Sequence, residues 1–294
     1  MASILISIFG GLVCFLYSRE LFAWGPAAHL KLGLAVIDNL KILGGDVANI
    51  ISNNPLQFLY GCISADIIQG KRFIKYIYNC HNWDNAFKLL RSAKSQPLKS
   101  FAYGYLSHLS ADIVAHNCFV PSKMIETYCK RGLKHFLWEM RFDSAVYDLK
   151  LDDLIKEISK MDHTLEDELM NGLFRTAIFS FKTNKRIFSS LLFVQRIRRW
   201  QGLLNEAHTG NNYSLSREEI DYYFRLSFDA MLGFLIDSKN SRYLKYDPMG
   251  KVSLGLAKKI MKDFQSKEKM GMLEGISSTE VMQSIERFKI NFLK

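Results

Sequence analysis

His108, Asp112 and His116 stand four residues apart in the stretch 105–116. On an α-helix each step of four turns the side chain by only about 40°, so the three share one face and can converge on metal. Neutral imidazole and carboxylate are the ordinary ligands of zinc. Their neighbours Leu106, Leu109, Ile113 and Val114 are apolar. Three polar side chains on such a helix need partners when buried, and a metal ion supplies one. His135 and Glu139 repeat the spacing on the next helical stretch. Taken alone, that pair reads as an exposed helical pair rather than as ligands. His29, Asp66 and His81 stand upstream, so the candidate ligands between positions 29 and 139 are five histidines and three carboxylates. His163 and His208 stand in polar contexts and read as surface histidines.

The elements that must position these residues read as helices. Pro is scarce, at 5 residues in 294, and long stretches run without Pro or Gly. Helices are favoured over a strand-rich fold. Pro26 suits the first turn of a helix running to Ile37. Phe101 to Asn117 is a second helix, closed near Pro121. Ser122 to Tyr147 is largely helical with an interruption near Gly132. Ser216 with Glu219, and Ser277 with Glu280, have capping-box spacing and open two later helices. Lys239 to Gly250 and Thr209 to Asn212 are turn-like. Around Leu154, Leu173 and Leu192 the apolar periodicity is mixed, without strand alternation.

The hydrophobic fraction, 48%, is that of a globular protein. The net charge of +10 suits anionic partners: phospholipid headgroups, nucleic acid or acidic proteins. Two basic-aromatic stretches, Lys71 to Tyr78 and Arg196 to Trp200, could rim a cleft or simply form helix faces. Ile4 to Tyr17 is an apolar run of signal-peptide length. With Leu21-Phe22-Ala23 after it, the run points to an exported chain cut after Ala23, leaving Trp24 first; an uncleaved membrane anchor is the alternative. Residues 1–23 are thus read as a leader, 24–145 as the catalytic region, and 146–294 as a helical region without candidate ligands. Cys62, Cys80, Cys118 and Cys129 remain in the mature chain without a CxxC spacing.

The ordered set Trp24-Gly25-Pro26 with His29, then Asp66, His81 with Trp83, His108, Asp112 and His116, and finally His135 with Glu139, resembles the zinc-dependent phospholipase C family. It is similar also to glycosylphosphatidylinositol-specific phospholipase D and, by fold, to the S1/P1-type nucleases. The resemblance implies an all-α, multi-helix phospholipase C/P1 nuclease-like fold, here with a helical C-terminal extension. It also implies a phosphodiester hydrolase, acting on phospholipid at a membrane surface or, alternatively, on nucleic acid. A non-catalytic helical protein keeping a structural metal is the rival from another class.

Carried over by position, the resemblance implies three zinc ions. Asp66, His81 and His108 would hold one. Asp112 would bridge to a second, which also takes His29 and the free amine and carbonyl of Trp24. His116, His135 and Glu139 would hold the third. Asp66 would assist the attacking water as general base. Ile67 and Ala27 stand where an aromatic and an acidic residue would frame a choline group, which argues against a phosphatidylcholine preference. The short gap from Asp112 to His116 is more like the phospholipase D branch. C-type and D-type cleavage both stay open.

Overall fold

A computed structural model of the chain describes residues 24–68, 74–75, 78–128, 134–174, 179–195, 215–269 and 278–293. The regular structure among these residues is helical, with no strand. The all-α expectation holds. The leader, both basic-aromatic stretches for the most part, Thr209 to Asn212, His208, Cys129 and Ser277 lie outside the described residues.

Helix α1 (Pro26–Asp38) begins on Pro26, which fits a position whose N–H has no intrahelical partner. Helices α2 (Gly45–Asn53) and α3 (Pro55–Ser64) follow, and α3 runs into a 3-10 turn, Ala65–Ile67, that carries Asp66. Helix α4 (Trp83–Ser92) is capped by Asn82, whose side chain accepts from the Asn85 N–H at 3.2 Å. Helix α5 (Gln96–Val114) is the centre of the fold. From Phe101 to Val114 it is buried on nearly every side, the pattern of a helix enclosed by others rather than one with a wet face.

Helix α5 begins five residues earlier than its apolar pattern suggests, because Ser95 caps it and Pro97 occupies its first turn. Nor does it close at Pro121. The chain passes through a π-helical turn, Ala115–Phe119, directly into α6 (Val120–Glu126), with Pro121 in that helix's first turn. The wider turn re-pairs the backbone where Pro121 has no N–H to give.

Helices α7 (Lys134–Val146), α8 (Leu149–Lys160), α9 (Thr164–Leu173) and α10 (Phe181–Gln195) complete the middle of the chain. After residue 215 come α11 (Arg217–Asp237), two 3-10 turns, α12 (Lys251–Lys269) and α13 (Ser278–Leu293). The capping box of α11 forms as its spacing predicts: Glu219 N–H donates to Ser216 Oγ at 3.1 Å, and Ser216 N–H to Glu219 Oε2 at 3.0 Å. These later helices share the hydrophobic core of the first half. Phe234 of α11 stacks on Trp83 at 5.4 Å, and Trp24 Nε1 donates to Ser227 Oγ at 3.1 Å.

Two glycines set how closely α3 and α5 approach. A Cβ on Gly104 would lie 1.9 Å from Phe58 O, and one on Gly61 would lie 2.1 Å from Phe101 O. The two backbones therefore touch. Because α3 ends at the turn carrying Asp66 and α5 carries His108 and Asp112, this contact fixes the width of the site.

Candidate metal centre

Asp66, His81, His108 and Asp112 meet in one buried cluster. His81 Nε2 and His108 Nε2 each lie 3.2 Å from Asp112 Oδ2 and 3.2 Å from each other. Asp66 Oδ1 is 3.4 Å from His81 Nε2 and 3.8 Å from His108 Nε2. His29 Nε2 stands 3.1 Å from the other oxygen of Asp112, its ring stacked on His108 at 3.9 Å. Two overlapping ligand sets result, His29 with Asp66 and His108, and His81 with His108 and Asp112, all buried.

Different elements bring these groups together for separate local reasons. Helical spacing puts His108 above Asp112. His81 sits in a loop tied down by polar contacts: its N–H donates to Asn79 Oδ1 at 2.8 Å, and Tyr105 Oη donates to Cys80 O at 2.7 Å. His29 rides on α1, whose first turn has no capping side chain of its own. Asp143 of α7 supplies one, accepting from the Ala28 N–H at 2.8 Å. Its carboxylate lies where a Cβ on Gly25 would stand, 2.3 Å from the carboxyl carbon. A carboxylate at a helix N-terminus is favourable for both reasons. Asp143 was not singled out in the sequence, although it stands one turn beyond Glu139. Replacing Asp143 by Ala is expected to cost about 1–2 kcal/mol and to loosen His29, whereas Asp143→Asn keeps most of the cap; thermal unfolding of both variants checks this.

Donor chemistry shows that the cluster suits a cation. The His108 Nδ1 atom is 2.8 Å from Cys62 O. A carbonyl only accepts, so Nδ1 carries the proton and the neutral ring turns the lone pair of Nε2 inward. That lone pair faces a carboxylate, an arrangement only a proton or a metal cation makes favourable. Both oxygens of Asp112 and both ring nitrogens of His29 are buried without a well-directed hydrogen bond. Tetrahedral zinc, with bonds of about 2.0–2.2 Å, holds its ligand atoms about 3.3–3.6 Å apart. The contacts of 3.1 to 3.8 Å bracket that spacing.

Burial lowers His29 to about pH 4, against the pull of Asp112 in the other direction. For Asp112, burial alone would raise the carboxyl; the close imidazoles of His108, His29 and His81 outweigh it and hold the group well below the usual carboxylate range. A depressed histidine is neutral when folded and takes up its proton on unfolding. The stability it contributes is therefore full above about pH 6.5 and is lost as pH falls toward 4, by about 3 kcal/mol at most. Zinc-free protein is expected to weaken across that window, and His29→Gln to flatten the profile, in denaturant titrations at each pH.

His116 does not converge with His108 and Asp112 on one ion. Eight residues of helix separate His108 from His116 by about 12 Å along the axis. Within the π-helical turn, His116 faces Glu139 of α7, with Nε2 3.8 Å from Oε1 and both residues buried. The backbone of α7 puts His135 one turn before Glu139; its side chain lies outside the described residues. Trp24 is buried, and its indole donates to Ala111 O at 3.1 Å.

His163 is not a surface residue. It is buried, stacked on Tyr60 at 3.6 Å, and donates from Nε2 to Ile158 O at 2.8 Å. A polar sequence context misled because the wall facing His163 comes from α3 and α8. A cavity of about 340 Å³ opens beside it, lined among others by Ile63, Ile67, Ile155, Ile158, Phe188 and Leu192. Ile67 directly follows Asp66, so the same 3-10 turn serves the cluster and this apolar wall. Cys62, Cys80 and Cys118 are buried free thiols.

No characterised protein and no solved structure matches the chain. A family profile described as zinc dependent phospholipase C matches residues 28–186, which include the whole cluster, His116, His135, Glu139 and Asp143. With more than half of its length matched and a buried His/Asp cluster of zinc-like spacing within the matched part, the chain belongs to the zinc-dependent phospholipase C family.

Proposed function

We propose that the protein is an exported phospholipase that hydrolyses a phospholipid phosphodiester at three zinc ions, with C-type cleavage. The observation that carries this reading is the buried meeting of Asp66, His81, His108, Asp112 and His29, whose lone pairs and carboxylate oxygens face one another at 3.1 to 3.8 Å. Asp66, His81 and His108 would hold one ion, Asp112 with His29 and the amine of Trp24 a second, and His116, Glu139 and His135 the third. When bound, zinc supplies charge neutralisation for the phosphate oxygens and a lowered pKa for water.

The chain's own residues do the rest. Asp66 is the general base, taking a proton from the attacking water at its carboxylate. Cys62 O, through His108 Nδ1, keeps the imidazole in the tautomer that presents Nε2 to the ion. The aliphatic side chains of Ile63, Ile67, Ile155 and Ile158 in the cavity wall suit a lipid tail. No described helix is long and apolar enough to cross a membrane.

Substrate panels separate the possibilities. Release of diacylglycerol from phospholipid vesicles is the expected result; phosphatidic acid would mean D-type cleavage, and nucleotide release from single-stranded DNA would mean a nuclease. Filling the cavity with Ile158→Trp is expected to raise KM for long-chain phospholipid severalfold while sparing a soluble short-chain diester. Equal loss on both substrates would remove the cavity from the account. N-terminal sequencing of the exported protein is expected to begin at Trp24.

A further inference from the structure

We infer that the turn Asp247–Gly250, far downstream of the family-matched part of the chain, positions His116 as a metal ligand. The inference rests on the zinc reading above and extends it to residues with no ligand of their own. Three hydrogen bonds tie this turn and the start of α12 to His116 and Asn117. His116 Nδ1 lies 2.6 Å from Pro248 O, across 132 residues of sequence. Since a carbonyl only accepts, Nδ1–H donates to it, and the Nε2 lone pair of the neutral ring is turned toward Glu139. Asn117, the next residue, donates from Nδ2 to Asp247 O at 3.0 Å and to Ile113 O at 2.9 Å. Ser253 Oγ donates to Asn117 Oδ1 at 2.9 Å.

The turn is itself built to hold that carbonyl in place. The Asp247 carboxylate accepts from the Met249 N–H at 3.0 Å and the Lys251 N–H at 3.2 Å. Gly250 has φ +56°, and a Cβ on it would lie 2.4 Å from His116 O and 2.5 Å from His116 Cβ. Only glycine permits both the left-handed backbone and this approach. A carbonyl on the far nitrogen of a ligating histidine fixes ring and tautomer, and losing such a partner typically weakens metal binding about 10–100-fold.

The test is Gly250→Ala in the full chain, with Gly255→Ala as control, since Gly255 stands on α12 with open space around it. Zinc affinity is resolved ion by ion by competition with a chromophoric chelator, and the visible spectrum of the cobalt-substituted protein is recorded. Gly250→Ala is expected to weaken one ion about 10–100-fold and alter the cobalt bands, with the other ions held as in wild type and Gly255→Ala unchanged. Should Gly250→Ala fail to fold, Ser253→Ala, which removes only the bond to Asn117, is expected to shift the same ion in the same direction by less. Folded variants that bind every ion as wild type does, or that lower Tm with no ion-selective change, overturn the inference. Wild-type protein that binds no zinc at all overturns the underlying metal reading and this inference with it.

Discussion

Asp112→Asn is expected to abolish zinc-dependent hydrolysis, with a fall in kcat/KM of about a thousandfold or more, equivalent to about 4 kcal/mol of transition-state stabilisation. Asp112 is the residue on which the cluster converges: His81 and His108 reach one of its oxygens and His29 the other. Asparagine keeps the volume but removes the charge and turns one oxygen into an amide nitrogen, which cannot ligate beside a lone-pair imidazole. The variant also separates a metal site from a structural ion cluster. In a structural cluster, removing the one buried carboxylate shared by three histidines would destabilise the protein with or without metal, by about 3–5 kcal/mol. In a metal site, the zinc-free variant is expected to unfold close to zinc-free wild type, and the large gain in Tm on adding zinc is lost. Thermal scans with zinc and with chelator, on both proteins, measure the difference.

Gly104→Ala is expected to damage stability and site together. The added methyl would meet Phe58 O at 1.9 Å, and a backbone oxygen cannot swing aside as a side chain can. Helices α3 and α5 must separate, at about 1–3 kcal/mol or more, which lowers Tm by several degrees. The same separation pulls Asp66 away from His108, so zinc affinity should fall although no ligand is changed. A variant with lowered Tm and unchanged zinc affinity would show that the glycine contact does not set the site. Gly172→Ala, where nothing stands within 4 Å of the added methyl, is the matched substitution that should do neither.

The part of the site that was legible in the sequence is the part written in helical spacing. His108 over Asp112 needs only a four-residue step on an apolar helix, and the structure places the two 3.2 Å apart. The same rule overreached at His116, where eight residues of helix and a π-helical turn carry the side chain to another partner. Pro121 gave a sign of irregularity but not its form, because a π-helical turn is decided by which backbone groups find partners. Resemblance gathered Asp66, His81 and His29, which no local periodicity links; the structure shows that loop contacts of Asn79 and the cap from Asp143 put two of them in place.

Backbone partners were the least legible. Cys62 O and Pro248 O orient His108 and His116, and a carbonyl leaves no mark in a sequence. The stretch 239–250 could be read as turn-like, but not as a turn that touches a histidine more than a hundred residues away. The helices after residue 215 carry no metal-ligating cluster of their own among the described residues. This part of the chain supplies, among other contacts, a carbonyl for His116, a hydroxyl for Trp24 and an aromatic face for Trp83.

A zinc-edge anomalous difference map from a crystal of the exported protein, purified without chelator, tests the zinc centre most directly. A peak should lie among Asp66, His81, His108 and Asp112 at about 2.0–2.2 Å from their facing atoms, with a second on the His29 side of Asp112 and a third beside His116 and Glu139. Folded protein with no anomalous peak in this cluster, or with zinc only at surface histidines, would contradict the account and leave the cluster as a buried network of histidines and carboxylates.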